Sequence, residues 1–255
     1  MRTLLSLSTG LCLSASLLCL AGTGVPRHGA ERPGDLDPIE RLLTGNARWV
    51  EGRASHFNQD RDRRRETAQG QHPFAAIVGC ADSRVPPEIV FDQGLGDLFV
   101  VRCAGNVLDD LALASLEYAV EHLGVRTIVV LGHERCGAVQ AALQGGELPG
   151  HLRYLARALA PHLEHVRRKL PPASSDEAEG AHVPPRIPAE LLDEGVCENV
   201  AAIVGELADC EPILGELEHT GELRIVGARY DLDSGKVELL PAGAGAAQAS
   251  APSAR

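Results

Sequence analysis

GCADSR at residues 79–84 and GHERC at residues 132–136 decide how this chain is organised. Each stretch directly follows a short apolar run, FAAIV at residues 74–78 and TIVVL at residues 127–131. Apolar runs of this length are typical of buried strands. The two stretches therefore place thiol, carboxylate and imidazole groups at the ends of two strands, where ligand sites cluster in α/β proteins.

Four side chains in these two stretches are potential metal ligands: Cys80, Asp82, His133 and Cys136. Side chains two residues apart on an extended backbone point the same way, so Cys80 and Asp82 can face one small volume. Two thiolates, one imidazole and one carboxylate form a complete tetrahedral ligand set for zinc. Any one of these residues alone would be interpreted as a core cysteine or a strand-end histidine, but the four together predict a metal site.

The rest of the chain alternates between strand-like and helix-like patterns. Such alternation predicts right-handed crossovers and an α/β fold, with a central, mostly parallel β-sheet flanked by helices and preceded by an N-terminal helical arm. With 255 residues, 44% of them apolar, the chain can bury one sizeable core. The predicted strands cover 74–79, 98–102, 126–131, 223–231 and 237–240, and the predicted helices cover 37–50, 60–69, 108–123, 137–143 and 191–207.

The N-terminus has the layout of a secretory signal peptide. Arg2 precedes an apolar segment at residues 4–20, and small residues follow at 21–24, so that cleavage after Ala21 and cleavage after Gly24 both fit. Hydroxyl side chains within the apolar segment make it a poor membrane span. We expect residues 1–24 to be removed and the protein to reach a bacterial periplasm without a stable membrane association.

Three further segments lack the periodicity of packed structure. Residues 25–35 contain two prolines and predict a linker, residues 171–188 predict a surface loop, and the Ala/Gly/Ser-rich residues 242–255 predict a disordered tail. The sequence thus predicts one domain over residues 36–241.

Charge and cysteine content restrict the possible partners and cross-links. A formal net charge of −11 disfavours nucleic acid and anionic membranes as partners. Two of the five cysteines outside the signal segment are candidate ligands, which leaves Cys103, Cys197 and Cys210. Cys197 and Cys210 are predicted on one helix about 20 Å apart, too far to bridge. We expect no structural disulfide.

CADSRVPPE at residues 80–88 and GHERCGAV at residues 132–139 resemble the paired signature of the beta-class carbonic anhydrases, C-x-D-S-R and H-x-x-C. The resemblance extends over most of residues 40–240, because LLTGNARWVEG, DLFVVRCAGN and LEYAVEHLGV also fit the family in order. The residue spacing predicts zinc, and carbonic anhydrase chemistry is implied only by this resemblance.

The resemblance implies one zinc ion per subunit, held by Cys80, His133 and Cys136. Zinc-bound hydroxide would attack carbon dioxide to give bicarbonate and a proton. Asp82 would either bind zinc as a fourth ligand and close the site, or pair with Arg84 and accept a hydrogen bond from the hydroxide; this pair is the family's gate. A homodimer or a dimer of dimers is implied as well.

The substrate pocket is likewise assigned by the resemblance. Gln71 matches the glutamine that hydrogen-bonds substrate across the dimer interface. Phe99, Ala104 and Tyr118 match apolar or aromatic pocket positions, and Gly105 fits a close approach of the backbone to the site. By spacing alone, Phe99, Ala104 and Tyr118 would be ordinary core residues and Gln71 a loop amide.

Two further residues near the expected site, His122 and Cys103, lie outside the ligand set. His122 follows Tyr118 by four residues, so the two share a helix face, and the pair matches a tyrosine and a histidine that shuttle protons in plant members. The alternative for His122 is a surface histidine on an amphipathic helix. Cys103 departs from the family, which usually carries asparagine or a small residue there, and we interpret it as a packed core thiol.

Two other functions are compatible with the same ligands. One is hydrolysis of carbon disulfide or carbonyl sulfide on the same scaffold, which would use the same zinc ligands and the same Asp82–Arg84 pair. The other is a non-catalytic zinc-binding protein, which would be expected to lose Asp82 or Arg84, and this chain contains both.

Overall fold

The structure is a computed structural model that describes residues 36–171 and 187–241. Its centre is a five-stranded sheet in the order β2-β1-β3-β4-β5, in which the first four strands are parallel and β5 pairs antiparallel with β4. This arrangement confirms the predicted mostly parallel α/β fold. The strands are β1 (Ala75–Gly79), β2 (Leu98–Arg102), β3 (Thr127–His133), β4 (Arg224–Tyr230) and β5 (Val237–Leu239).

Nine helices are present in the described ranges and cover the sheet. They are α1 (Pro38–Val50), α2 (Arg61–Thr67), α3 (Pro87–Val90), α4 (Asp110–Leu123), α5 (Gly137–Gln144), α6 (Leu152–Leu159), α7 (Glu164–Lys169), α8 (Ala189–Ala208) and α9 (Leu214–His219), and a 3-10 turn covers Ala104–Asn106. Within residues 36–171 and 187–241, no helix is both long enough and apolar enough to cross a membrane.

Local chemistry sets where the helices begin and end. The Asp37 carboxylate accepts a 2.9 Å hydrogen bond from the Ile39 N–H and caps α1. The Asp109 carboxylate caps α4 in the same way, through a 2.8 Å bond from the Ala112 N–H. At the other end of α4, Gly124 takes a left-handed conformation with φ of 72° and ends the helix as its C-cap.

Strands β1 and β3 are buried along their whole length. Alternate residues enter different cores: Val78 packs in the cluster that contains residues of α4 and α8, whereas Ile77 packs in the cluster that contains Ile39 and Leu42 of α1. Burial on both faces explains why these strands are continuous apolar runs. Helix α1, predicted as an arm, thus packs on the sheet of its own chain.

The predicted boundaries agree with the structure within a few residues, with specific exceptions. The short helices α3, α6, α7 and α9 were not predicted, because four to eight residues give too little periodicity. The placement of Cys210 on the helix of Cys197 is wrong: α8 ends at Ala208. All five cysteines of the described ranges are free, as expected. The predicted signal peptide, linker and tail, and most of the loop at 171–188, lie outside the described residues.

A third apolar cluster lies where Cys80 and Cys136 meet. It contains the two cysteines together with Leu159 of α6, Leu163 and Val166. The order β2-β1-β3 changes direction at β1, and the carboxyl ends of the strands at such a switch point are where α/β proteins bind ligands.

Candidate metal centre

Three predicted ligands meet at the carboxyl edge of the sheet. Cys80 follows β1 directly, His133 is the last residue of β3, and Cys136 precedes the first residue of α5. The parallel register that aligns Gly79 with Leu131 brings these strand ends together. Both Sγ atoms and one ring nitrogen of His133 lie within 4.8 Å of one another. Each of the three residues is at most 4% exposed.

The His133 ring is oriented for a ligand. Its Nδ1 lies 2.8 Å from the Glu134 carbonyl oxygen, so Nδ1 carries the proton and donates. Its Nε2 is buried and has no hydrogen-bond partner among the described residues. A buried lone pair without a partner is costly, and a metal ion would satisfy it. Two cysteine sulfurs and this nitrogen are the donor set that zinc prefers, so the residues fit the predicted metal.

The two cysteine thiols shift each other's pKa in opposite directions. A hydrogen bond from the Cys136 thiol, with a smaller contribution from the backbone N–H of Gly105, holds the pKa of Cys80 below its usual range. The same bond to Cys80, together with burial, raises the pKa of Cys136. The opposite pKa shifts favour a thiolate on Cys80, which is the form that binds a soft cation.

Asp82 and Arg84 form a forked pair beside this cluster. Arg84 Nε donates to Asp82 Oδ1 at 2.9 Å and Arg84 Nη2 donates to Oδ2 at 2.8 Å. The Arg84 guanidinium holds the pKa of the Asp82 carboxyl well below its usual range. Asp82 Oδ2 lies 3.8 Å from His133 Nε2, so an anionic carboxylate borders the metal cluster.

Cys80 and Asp82 lie close together for a different reason from the one predicted. Strand β1 ends at Gly79, so the alternation of side chains along a strand does not apply to Cys80 and Asp82. Instead, Arg102 holds the turn: its Nε donates to the Cys80 carbonyl at 2.8 Å and its Nη2 to the Asp82 carbonyl at 2.6 Å. Arg102 was missed, although it ends the neighbouring strand.

Glu134 and Arg229 support the histidine. Arg229 Nη2 donates to Glu134 Oε1 at 2.6 Å, and the Leu232 N–H donates to Glu134 Oε2 at 3.2 Å. These bonds hold Glu134, whose backbone carbonyl accepts the hydrogen bond from His133 Nδ1. The sequence offered one signal that Glu134 supports His133: this acidic residue lies between the two ligands His133 and Cys136.

Arg135 holds the same loop from the solvent side. Its backbone has a φ of 51°, and its guanidinium donates to both oxygens of Asp233 at 2.9 Å. Its carbonyl oxygen accepts a 3.4 Å hydrogen bond from Arg84 Nη2. The metal loop and the Asp82–Arg84 pair therefore contact each other through one backbone carbonyl.

The structure brings some of the predicted pocket residues to the cluster. The Gly105 N–H donates to Cys80 Sγ at 3.3 Å, and Ala104 precedes Gly105 in the same turn. Phe99 lies within β2 and packs in the apolar cluster on one face of the sheet. Gln71 is exposed in the segment before β1. Within this single chain, Ala104 and Gly105 are therefore the predicted pocket residues seen beside a ligand.

Tyr118 and His122 lie together on α4, with ring centroids 5.0 Å apart. Both side chains are exposed. In residues 36–171 and 187–241, no hydrogen bond connects either of them to Cys80, His133 or Cys136. The pair has the shared helix face that its spacing predicts, and the shuttle role remains a prediction.

Cys103 extends the pairing of β1 and β2. Its N–H donates to the Gly79 carbonyl at 3.2 Å, and its carbonyl accepts from the Ala81 N–H at 3.2 Å. Burial raises the pKa of its thiol. A protonated, half-buried thiol agrees with the interpretation of Cys103 as packing rather than chemistry.

The sheet and the site together define a class: an α/β protein with a Cys-His-Cys cluster suited to a metal ion at the switch point of a parallel sheet. Three protein ligands leave a fourth position for a small molecule, as in catalytic rather than structural zinc sites. Comparison with known proteins identifies the family within that class.

A family model described as carbonic anhydrase matches residues 75–237. Carbonic anhydrase 2 of Mycobacterium tuberculosis is 46% identical over 78% of this chain and 89% of its own length, and the carbonic anhydrase of Mycolicibacterium smegmatis is 41% identical over the same shares. A tetrameric beta-carbonic anhydrase of Sordaria macrospora superposes with a TM-score of 0.59 at 28% identity, covering 79% of this chain and 96% of its own. The chain belongs to the beta-class carbonic anhydrases.

Proposed function

We propose that this chain carries out the reversible hydration of carbon dioxide to bicarbonate and a proton at a zinc ion held by Cys80, His133 and Cys136. The observation that carries the proposal is the buried donor set, in which His133 Nε2 has no hydrogen-bond partner among the described residues. The relatives that match over most of this chain are named carbonic anhydrases, which supports this reaction over carbon disulfide or carbonyl sulfide hydrolysis and over a non-catalytic role.

Zinc would supply Lewis acidity, which makes water nucleophilic near neutral pH. The chain's own residues set its environment. Cys80 and Cys136 supply thiolate charge, and His133 supplies a neutral nitrogen because its Nδ1 proton is engaged by the Glu134 carbonyl. Burial of all three keeps competing water away from the donors.

Asp82 would orient the attacking water rather than supply a proton. Its low pKa keeps it anionic at working pH, so it acts as a hydrogen-bond acceptor. Arg84 occupies both carboxylate oxygens on one side, and Oδ2 also lies near His133 Nε2. This pairing supports the role in which Asp82 leaves the fourth ligand position open to water.

The test is stopped-flow hydration of carbon dioxide by the zinc-loaded chain, compared with the same preparation after chelation and after restoration of zinc. We expect activity that disappears on chelation and returns with zinc. Parallel assays with carbonyl sulfide and carbon disulfide separate the sulfur-substrate alternative. Full zinc occupancy without turnover of any of these substrates would indicate a non-catalytic protein and overturn the proposal.

The assembly we propose is a homodimer or a dimer of dimers. The Sordaria macrospora relative is described as tetrameric. Exposed apolar side chains such as Leu111, which is 78% exposed, and the exposed Gln71 that matches a glutamine acting across the dimer interface also support it. Light scattering coupled to gel filtration measures the mass in solution, and a monomer at assay concentration would contradict this assembly.

We also propose export to the periplasm, supported by Arg2, the apolar segment at residues 4–20 and the small residues at 21–24. Mass spectrometry of the periplasmic fraction is expected to find a chain that begins near residues 22–25. An intact Met1 in the cytoplasmic fraction would contradict export.

A further inference from the structure

A continuous line of hydrogen bonds runs from the protein surface to the Cys80 sulfur. The Gly105 N–H donates to Cys80 Sγ at 3.3 Å, and the Gly105 carbonyl accepts from Asn199 Nδ2 at 2.9 Å. Asn199 Oδ1 lies 2.8 Å from His162 Nδ1, and His162 Nε2 lies 2.8 Å from Glu206 Oε1. Three segments far apart in sequence therefore meet behind one metal donor.

The acceptors in this line fix the protons of His162. The Asn199 side chain donates through Nδ2 to the Gly105 carbonyl. Its Oδ1 therefore faces His162 and requires a proton on His162 Nδ1. The Glu206 carboxylate is an acceptor and requires an N–H on the other ring nitrogen. Burial lowers the pKa of His162, but the hydrogen bonds to Glu206 and Asn199 outweigh burial and raise it. An imidazolium satisfies both acceptors at once.

The peptide at Gly105 is closely surrounded by neighbouring residues. Its φ is 67°, and a Cβ there would lie 3.0 Å from Leu159 and 3.1 Å from Ala138, so glycine is required. On the adjacent side, Asn106 Nδ2 donates to the carbonyls of Val78 and Leu131 at 3.0 and 2.9 Å. The turn is therefore held by one amide on the sheet side and by Asn199 on the α8 side.

We propose that Asn199 and His162 are positioning residues for Cys80. Asn199 holds the Gly105 carbonyl so that the N–H of the same residue reaches the Cys80 sulfur, and His162 holds the Asn199 amide in the orientation that this requires. A hydrogen bond to a thiolate reduces the charge that the sulfur donates. His162 therefore influences the electron donation of Cys80 without touching it. This inference rests on the proposed metal centre.

Two substitutions of His162 test its hydrogen bond to Asn199 and its hydrogen bond to Glu206 separately. His162→Asn can keep an N–H near the Nδ1 position, which faces Asn199, and His162→Gln can keep one near the Nε2 position, which faces Glu206. His165→Gln is the matched control, because this nearby histidine is exposed and its nearest carboxylate belongs to Glu198, outside the line.

Each variant is prepared as the full chain with cobalt(II) in place of zinc. We measure the thiolate-to-cobalt charge-transfer absorption, the rate of metal release to a chelator, and the melting temperature. His162→Gln is expected to shift the absorption band and to release metal about three- to tenfold faster, at the low end for outer-shell partners of metal ligands. His162→Asn and His165→Gln are expected to remain near wild type in both readouts.

An unchanged band and release rate in His162→Gln would overturn the proposal, even if that variant melts at a lower temperature. Equal shifts in His162→Asn and His162→Gln would also overturn it, because the N–H toward Asn199 would then not matter. If His162→Gln does not fold, Asn199→Ala decides, because it removes the donor to the Gly105 carbonyl: a shifted band and faster metal release support the proposal, and the absence of both overturns it. A wild-type chain that neither binds cobalt nor hydrates carbon dioxide would defeat the proposed function itself.

Discussion

The metal donors and the Asp82–Arg84 pair are neighbours, yet they are held in different ways. Cys80, His133 and Cys136 are at most 4% exposed and rest on strands and buried hydrogen bonds. The Arg84 side chain is 51% exposed and the Asp82 side chain is 18% exposed. Buried donors keep their geometry whatever the solvent does, whereas an exposed ion pair is weak and screened by salt. The difference separates buried metal donors from an ion pair whose arginine is open to solvent.

Replacing a buried donor should have the largest effect. Cys80→Ser is expected to lose metal and at least about 100-fold of the hydration rate, because even outer-shell partners of metal ligands contribute about 10- to 100-fold. Cys103→Ser is the matched control, since Cys103 is a half-buried thiol outside the donor set. Metal analysis and stopped-flow assays check both. A Cys80→Ser variant with full metal and activity would remove the basis for calling this region the metal centre.

Changing the exposed pair should reduce activity without releasing metal. Arg84→Ala is expected to lower the rate about 10- to 100-fold at unchanged metal content, because Asp82 loses both hydrogen bonds from the guanidinium and keeps the 2.9 Å bond from the backbone N–H of residue 84. Arg84→Lys keeps the charge without the fork and should fall between Ala and wild type. Arg65→Ala, on the exposed helix α2, serves as the control. If metal and activity were lost in parallel, the pair would belong with the buried metal donors and the comparison would fail.

Glu134 and Arg229, which support His133, are more exposed than the metal donors and less exposed than Arg84. Arg229→Gln removes the cation that faces the partly buried Glu134 carboxylate, and its side chain is 16% exposed. We expect a loss of about 1 to 3 kcal/mol in the free energy of unfolding and about tenfold faster metal release. Urea unfolding and chelator kinetics measure the two effects. Because Arg229 Nε also donates to Asp193 at 2.6 Å, restoration of both by Glu134→Gln in the Arg229→Gln background would attribute the effects to Glu134 rather than to Asp193.

The smallest effect is expected at His162 and Glu206, where the line of hydrogen bonds from Cys80 reaches the protein surface. The pKa of His162 is raised above 6.5, so the folded protein holds this proton more tightly than the unfolded chain. The stabilisation is therefore fully present below pH 6.5 and is lost as pH rises through the folded pKa. Glu206→Gln should lower the His162 pKa, measured by NMR, and reduce stability below pH 6.5 by about 1 kcal/mol or less. A stability difference that instead grows with pH would contradict this assignment.

Much of the fold and part of the site can be read from local patterns. Continuous apolar runs predict β1 and β3 because strands buried on both faces need them, and the glycine after Leu123 predicts the end of α4. Helix α6 escapes such reasoning: it has eight residues, and only Leu159 of them is buried. The turn at Cys80 escapes it too, because Arg102 of the neighbouring strand holds it.

By itself, the sequence determined which residue types stand at the ends of β1 and β3, the alternation of strands and helices, and the membership of the carbonic anhydrase family. Only the tertiary structure decided which atoms support those residues. The Gly105 carbonyl meets Asn199 across 94 positions of the chain, and Asn199 meets His162 across 37. Periodicity reports which face of an element is buried, whereas a hydrogen bond requires two specific atoms within about 3 Å. That proximity is set by packing between distant segments, so it becomes visible only when the whole chain is folded.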